Sequence, residues 1–208
     1  MILPSNIPTY NSVPLIDLDT FEYLIAVRQP HWTLRAWELL RETERRWTMF
    51  DWATFVIHEP GRCQNLFRDF ASAYLFSFEA TLQVLKIEKP ALDLRSWLRD
   101  QPAYDVICKG LRGLRNTGAH VRQVSVTPDH QRSAISRFAH TTTGGTTAWA
   151  WPELTAADLT ALATPHLSAA DLPLWNNQSA DLLALGVMRH GVLALRSLLE
   201  VLEPQPNP

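Results

Sequence analysis

The stretch Gly113 to Arg122, GLRNTGAHVR, holds three side chains whose types suit chemistry on a phosphate. Arg115 carries a planar fork of N–H donors that matches phosphate oxygens. His120 is of the type that accepts and releases protons near neutral pH, and Asn116 can orient it or hydrogen-bond the phosphate. RNA is cut without a metal when the adjacent 2′-hydroxyl attacks its own phosphate, which needs a proton carrier and a cation near the phosphorane. These residue types indicate acid–base cleavage of RNA as one interpretation.

The same region carries a local excess of positive charge. No acidic residue lies between Asp105 and Asp129. The cations in that interval are Lys109, Arg112, Arg115 and Arg122. On a helix, one polar stripe at three- and four-residue steps is formed by Lys109, Arg112, Asn116 and His120. We predict that Lys109, Arg112 and Arg122 contact RNA phosphates, while an ordinary solvated helix face explains the same charges equally well.

The stretch also fits the end of a helix. Asn116 and Gly118 are residue types common at helix C-termini, where glycine adopts the left-handed conformation, and basic side chains there suit the helix dipole. In an unbroken helix, positions five apart point about 140° from each other. Arg115 and His120 therefore share one face only if Gly118 distorts the turn.

The spacing of Arg115, Asn116 and His120 resembles the Arg-Asn-x-x-x-His form of the motif that marks HEPN domains. The resemblance covers roughly residues 63–122 and the C-terminal helix. It implies a helical bundle, metal-independent ribonuclease activity, and a homodimer in which two motifs meet across a two-fold cleft. In HEPN toxins paired with nucleotidyltransferase antitoxins, a tyrosine usually lies two residues after the histidine, whereas Arg122 stands there in this chain.

On this resemblance, the expected function is that of a metal-independent endoribonuclease, a toxin or anti-phage effector with a composite dimer active site. Arg115 and His120 are the predicted catalytic residues, assisted by Asn116, and RNA and an antitoxin or regulatory protein are the implied partners. Some family members have lost catalysis. The first alternative is therefore a non-catalytic HEPN-like module that binds nucleotide, RNA or a protein through the same basic patch. The second is a capped helix end in a structural bundle.

Glu79 lies in the strongest predicted helix, CQNLFRDFASAYLFSFEATLQVLK, and is its only charge between Asp69 and Lys86. This helix is apolar nearly all round, which predicts a central, buried position. A buried carboxylate needs a partner, so we predict that Glu79 pairs with Arg115 or Arg112 and holds that guanidinium. A purely structural salt bridge or an exposed position is the alternative.

No cofactor and no metal site is predicted, because the other histidines lack metal-ligand spacing and are interpreted as surface or structural residues. They are His31, His58, His130, His140, His166 and His190.

The elements that must position the motif are mainly helical. The periodicity predicts an α-helical bundle of about five main helices with a small β-hairpin or three-strand insert before the last helices. The resemblance implies that this bundle is HEPN-like. The predicted helices cover 19–27, 33–58, 63–86, LDLRSWLRD, a segment from Pro102 toward Asn116, TAADLTALA and 179–202. Residues 1–18 are predicted to form an extended arm. Residues 19–203 are predicted to form one helical domain with the insert at about 123–151, centred on Gly144 and Gly145, and 204–208 to form a proline-rich tail.

Composition narrows the class of protein. The chain has 208 residues, is 46% hydrophobic with eight Trp and eight Phe, and suits one globular domain. A net charge of −2 excludes a protein that coats nucleic acid through its overall charge. Two cysteines exclude a disulfide framework. The N-terminus lacks signal-peptide features, and the longest apolar run, LLALGVMRHGVLAL, is interrupted by Arg189 and His190. We therefore expect a soluble, cytoplasmic protein without membrane contact.

Overall fold

Six helices dominate the computed structural model, which describes residues 9–10, 13–14, 34–56, 64–129, 148–163 and 165–203. The helices are α1 (Ala36–Val56), α2 (Gln64–Glu88), α3 (Leu94–Arg99), α4 (Pro102–His120), α5 (Ala156–Thr160) and α6 (Leu172–Leu202). The prediction of a mainly helical bundle is confirmed. The helix predicted at 19–27 and the proline-rich tail lie outside the described residues.

Two short antiparallel strand pairs accompany the helices in the described part of the chain. Strands β1 (Thr9–Tyr10) and β2 (Val13–Pro14) pair near the N-terminus. Strands β3 (Thr127–Asp129) and β4 (Ala148–Ala150) pair between α4 and α5, which confirms a two-stranded hairpin before the last helices. The predicted turn at Gly144 and Gly145 lies outside the described residues.

The core forms where α1, α4 and α6 pack around α2. Apolar side chains of α2 at three- and four-residue steps, among them Phe67, Tyr74 and Phe78, are buried there. The Tyr74 hydroxyl donates to the Met188 carbonyl of α6 over 2.6 Å, so a buried polar group is satisfied inside the core. The pair fixes α6 across α2.

The prediction that α2 is buried nearly all round is wrong. Phe76 is 57% exposed and Leu66 is 39% exposed, so one side of α2 faces solvent. The reason is non-local. The other elements cover only part of the helix surface, and the sequence of α2 does not contain that information.

α4 is fixed in the bundle by a close approach to α6. Gly110 lies under the indole of Trp175, which is fully buried, and a Cβ on Gly110 would overlap that ring. A glycine is therefore needed at this helical position for packing. The contact orients α4, so the motif at its C-terminal end is held at a defined place on the surface.

The distortion that Gly118 was expected to introduce is not observed. α4 continues through Gly118 to His120, and no glycine in the described residues has a positive φ. The helix ends at Val121 instead, where the carbonyl of the buried Thr117 accepts from the backbone N–H groups of Val121 and Arg122. Tertiary packing of Thr117 carries the helix past the glycine.

α6 begins at Leu172, seven residues before the predicted start. Pro173 occupies its first turn, which suits a helix N-terminus, and Trp175 anchors that turn in the core. The helix kinks at Leu183, whose φ is 58°. Within the described residues, α6 is the one helix long and apolar enough to cross a membrane, and half of its most apolar stretch is buried inside the protein.

Candidate functional site

Arg115 projects from α4 toward α2 and is held in place on two sides. Its guanidinium carbon lies 5.4 Å from the centre of the Phe76 ring, within range of a cation–π contact. Its Nη1 donates to the Asn116 Oδ1 over 3.1 Å. Its Nε is sealed from solvent and has no hydrogen-bond partner among the described residues. Neither Nε nor Nη2 has a hydrogen-bond partner among the described residues, but because Nε is closed to solvent, Nη2 is the group that a ligand can reach.

A cleft of about 270 Å³ opens beside this guanidinium, between α2 and the C-terminal end of α4. Arg68, Asp69 and Phe76 line it from α2, and Arg115 lines it from α4. Uncharged polar side chains, including Gln123, line it from the segment after α4. Two arginines against one aspartate give the lining a net charge of +1, so the cleft favours anions modestly.

His120 lies outside this cleft. It is the last residue of α4, its side chain is exposed, and no side-chain hydrogen bond or ion pair joins it to the described residues. Because α4 is unbroken, His120 points about 140° away from Arg115 and lies about 7.5 Å further along the helix axis. One copy of the chain therefore places the two predicted catalytic side chains on different faces. Asn116 stays with Arg115.

Glu79 pairs with Arg112, one of the two partners predicted for it. Arg112 Nε donates to Glu79 Oε2 over 2.8 Å and Nη2 donates to Oε1 over 3.1 Å, and both residues are buried. Burial raises the pKa of Glu79, but the hydrogen bonds and charge of Arg112 outweigh this and hold it below its ordinary value. No hydrogen bond or ion pair joins Glu79 to Arg115 in the described part of the chain. The pair therefore holds α2 to α4, behind the cleft.

The other two cations predicted to bind phosphate are also engaged by carboxylates. Lys109 Nζ lies 2.6 Å from Asp105 Oδ2 and 3.3 Å from Asp171 Oδ2. Arg122 Nε donates to Asp158 Oδ1 over 2.8 Å, and its Nη2 donates to Oδ2 over 3.0 Å. These hydrogen bonds are the main cause that lowers the pKa of Asp158 to about 2. These side chains therefore stabilise the bundle, and a phosphate would have to compete with carboxylates for them.

Arg68 and Phe76 are the cleft residues that the sequence analysis missed. They lie eight residues apart on α2, close to the same helix face. An arginine and an aromatic residue at that spacing were the available signal, but it is weak, because most such aromatic side chains pack in the core.

The sequence predicted a surface or structural role for His166. In the structure, the charges of Arg112 and Arg115 act on its imidazole. Burial lowers the pKa of its imidazole below the ordinary value, and the charge of Arg112, and more weakly that of Arg115, lowers it further. The neutral form of His166 is therefore favoured at neutral pH.

Within the described ranges, no group of three or more His, Cys, Asp or Glu side chains is arranged to hold a metal ion. The fold and the cleft thus define a helical-bundle protein with an arginine-lined surface cleft at the end of one core helix. Neither a protein-family model nor a curated protein nor a solved structure matches this chain.

Proposed function

We propose that this protein is a metal-independent endoribonuclease of HEPN type that acts as a two-fold homodimer. The observation that carries the proposal lies at the end of α4. There, the Arg115 guanidinium lines an open cleft and has no carboxylate partner among the described residues, and His120 is exposed further along the same helix. A fixed cation and an accessible proton carrier are the two groups that cleavage by a 2′-hydroxyl requires.

In the proposed reaction, the 2′-oxygen of RNA forms a bond to the adjacent phosphorus while the bond from phosphorus to the 5′-oxygen breaks. His120 takes the proton of the 2′-hydroxyl, and the leaving 5′-oxygen takes a proton from water. Arg115 stabilises the charge on the phosphorane oxygens, and Asn116 keeps its guanidinium in position. The products carry a 2′,3′-cyclic phosphate and a 5′-hydroxyl.

The helical geometry supports the proposed dimer. The guanidinium of Arg115 packs on Phe76, whereas His120 lies on another face of α4. A single chain therefore does not place both groups on one phosphate. A two-fold axis near the end of α4 would bring His120 of one copy toward Arg115 of the other. A cytoplasmic toxin or anti-phage effector, controlled by an antitoxin or regulatory protein, is the setting that we propose for this activity.

Cleavage of labelled RNA in the presence of EDTA tests the proposal. We expect the wild type to produce cyclic phosphate ends, and His120→Ala and Arg115→Gln each to lose about a hundredfold or more in rate. His166→Ala is the matched control, because it removes a nearby histidine that the proposal does not use. A folded, dimeric wild type that leaves varied RNAs intact would refute the ribonuclease. Loss of activity in His166→Ala but not in His120→Ala would refute the assignment of His120.

Mixing the two inactive variants tests the composite site. A mixed dimer of Arg115→Gln and His120→Ala retains one intact site if each site combines Arg115 of one copy with His120 of the other. Random mixing should then restore about a quarter of wild-type activity. No recovery, with exchange of subunits demonstrated, would contradict the composite arrangement.

The second candidate is a non-catalytic HEPN-like module that binds nucleotide, RNA or a protein partner. One observation favours it: Arg115 and His120 diverge on an unbroken helix. RNA binding without cleavage by the folded dimer would select this candidate.

A further inference from the structure

Two arginines line the cleft with hydrogen-bond donors that the described residues do not satisfy. Arg68 makes no side-chain hydrogen bond or ion pair within the described ranges, and its Nε is sealed from solvent without a partner, as is the Nε of Arg115. Buried donors without partners cost stability, and they also occur elsewhere in the described residues, at Arg189 and at several tryptophans. These two arginines are set apart by the cleft between their helices, which is open to a ligand that brings its own acceptors.

The charge of the cleft points to an anionic ligand. Asp69 is the one acidic side chain in the lining, and no ion pair joins it to Arg68 or Arg115. Among the described residues, no carboxylate holds either guanidinium, although Arg115 Nη1 donates to Asn116. The cations Lys109 and Arg112, also on α4, already hold carboxylates. An anion with several oxygens can accept from both forks at once, which is the geometry of a phosphate ester.

The cleft also offers an aromatic surface. The Phe76 ring has the Arg115 guanidinium over it, yet the residue is 57% exposed. An exposed aromatic ring beside paired guanidiniums is a platform for a nucleobase or its sugar. The volume of about 270 Å³ lies near the lower end of the range for ligand pockets and suits one nucleotide unit.

We propose that this cleft binds the phosphate ester of a nucleotide unit, with Arg68 and Arg115 contacting the phosphate and Phe76 packing against the base or sugar. Arg68 is then a binding residue on α2, outside the motif on α4. Two sources share this chemistry, a strand of RNA and a free mononucleotide. The choice of the RNA strand as the natural source rests on the proposed ribonuclease function.

Binding is measured by fluorescence anisotropy with a 2′-O-methyl RNA decamer, which lacks the attacking hydroxyl, and by calorimetry with AMP. Arg68→Gln should weaken binding at least about tenfold, since it removes hydrogen bonds to a charged group. For the decamer it should also make the salt dependence less steep by about 0.7 in the log–log slope. The affinity of Arg68→Lys should lie between those of the wild type and of Arg68→Gln, because lysine keeps the positive charge but lacks the planar fork of donors.

The matched control is Arg95→Gln, which removes an exposed arginine of α3 that does not line the cleft. It should leave affinity unchanged, and thermal melts should confirm that every variant folds. Asp69→Asn removes the opposing charge and should tighten binding, by up to about fivefold.

Weaker binding by Arg68→Gln but not by Arg95→Gln supports the site. Binding of the decamer identifies an RNA strand as the ligand, and binding of AMP alone identifies a free mononucleotide. No binding of either ligand, or equal losses in the two variants, would overturn it. Binding to the 2′-O-methyl strand without cleavage of ordinary RNA would leave the site standing and remove the ribonuclease.

Discussion

Replacement of Gly118 by alanine separates the two local interpretations of the motif. If the glycine ends α4 in a left-handed conformation, a side chain there is strained. In the structure, Gly118 is helical and no glycine in the described residues has a positive φ. An added Cβ would lie 3.4 Å from the Val124 Cβ, an ordinary van der Waals contact. The substitution should therefore be accommodated without a shift of the backbone.

The expected gain comes from two sources. Alanine is better than glycine in a helix interior by about 0.8–1.0 kcal/mol, and we expect roughly half of this so close to the helix end. The new contact with Val124 removes a little apolar surface from water. Gly118→Ala should thus raise the free energy of unfolding by about 0.5–1 kcal/mol. For a chain of this size, that corresponds to an increase of about 1–4 °C in Tm.

Urea unfolding followed by circular dichroism at the helix band measures the change. Gly110→Ala is the matched control, since it makes the same substitution in the same helix. Its Cβ overlaps the Trp175 ring, so we expect a loss of about 1–3 kcal/mol from overpacking. Destabilisation of about 1 kcal/mol or more by Gly118→Ala would refute the helical conformation and restore the capped end.

Three further results are expected. Arg112→Met should cost about 3–5 kcal/mol in urea unfolding because Glu79 is left buried and unpaired. Adding Glu79→Leu should recover most of this, and equal losses in the single and double variants would contradict the coupling. Burial raises the pKa of Asp51 from 3.8 to about 7. The folded state therefore holds a proton that the unfolded chain has lost, and stability from this group falls as pH rises from about 4 to 7. Asp51→Asn should remove up to about 4 kcal/mol of that pH dependence, and the same pH profile in both proteins would count against it. Lys109→Gln should keep RNA affinity within about twofold, because two carboxylates hold its ammonium, and a loss as large as that of Arg68→Gln would show that Lys109 also binds phosphate.

The positions of the long helices follow closely from the sequence. The predicted segments 33–58 and 63–86 correspond to α1 (Ala36–Val56) and α2 (Gln64–Glu88). Apolar residues at helical spacing, and the prolines and glycines between them, are local signals that do not depend on the rest of the chain. The β3–β4 hairpin was predictable from a local signal of its own, a segment rich in β-forming residues around Gly144 and Gly145.

The ends of two helices depended on non-local contacts. α4 runs past Gly118 because Thr117 is buried. α6 starts early because Trp175 is buried against Gly110. Burial against another element outweighs the modest cost of a glycine in a helix or an unfavourable local sequence, and no local pattern reports it.

By itself, the sequence determined which residue types are present for chemistry and that they lie near the end of a helix. Only the tertiary structure decided which of these side chains are available. It pairs Arg112 with Glu79, leaves Arg115 without a carboxylate partner among the described residues, and adds Arg68 from a helix some fifty residues away in sequence. It also points His120 away from Arg115. The physical reason is that a charge is free or engaged according to its neighbours in space, and those neighbours come from distant parts of the chain.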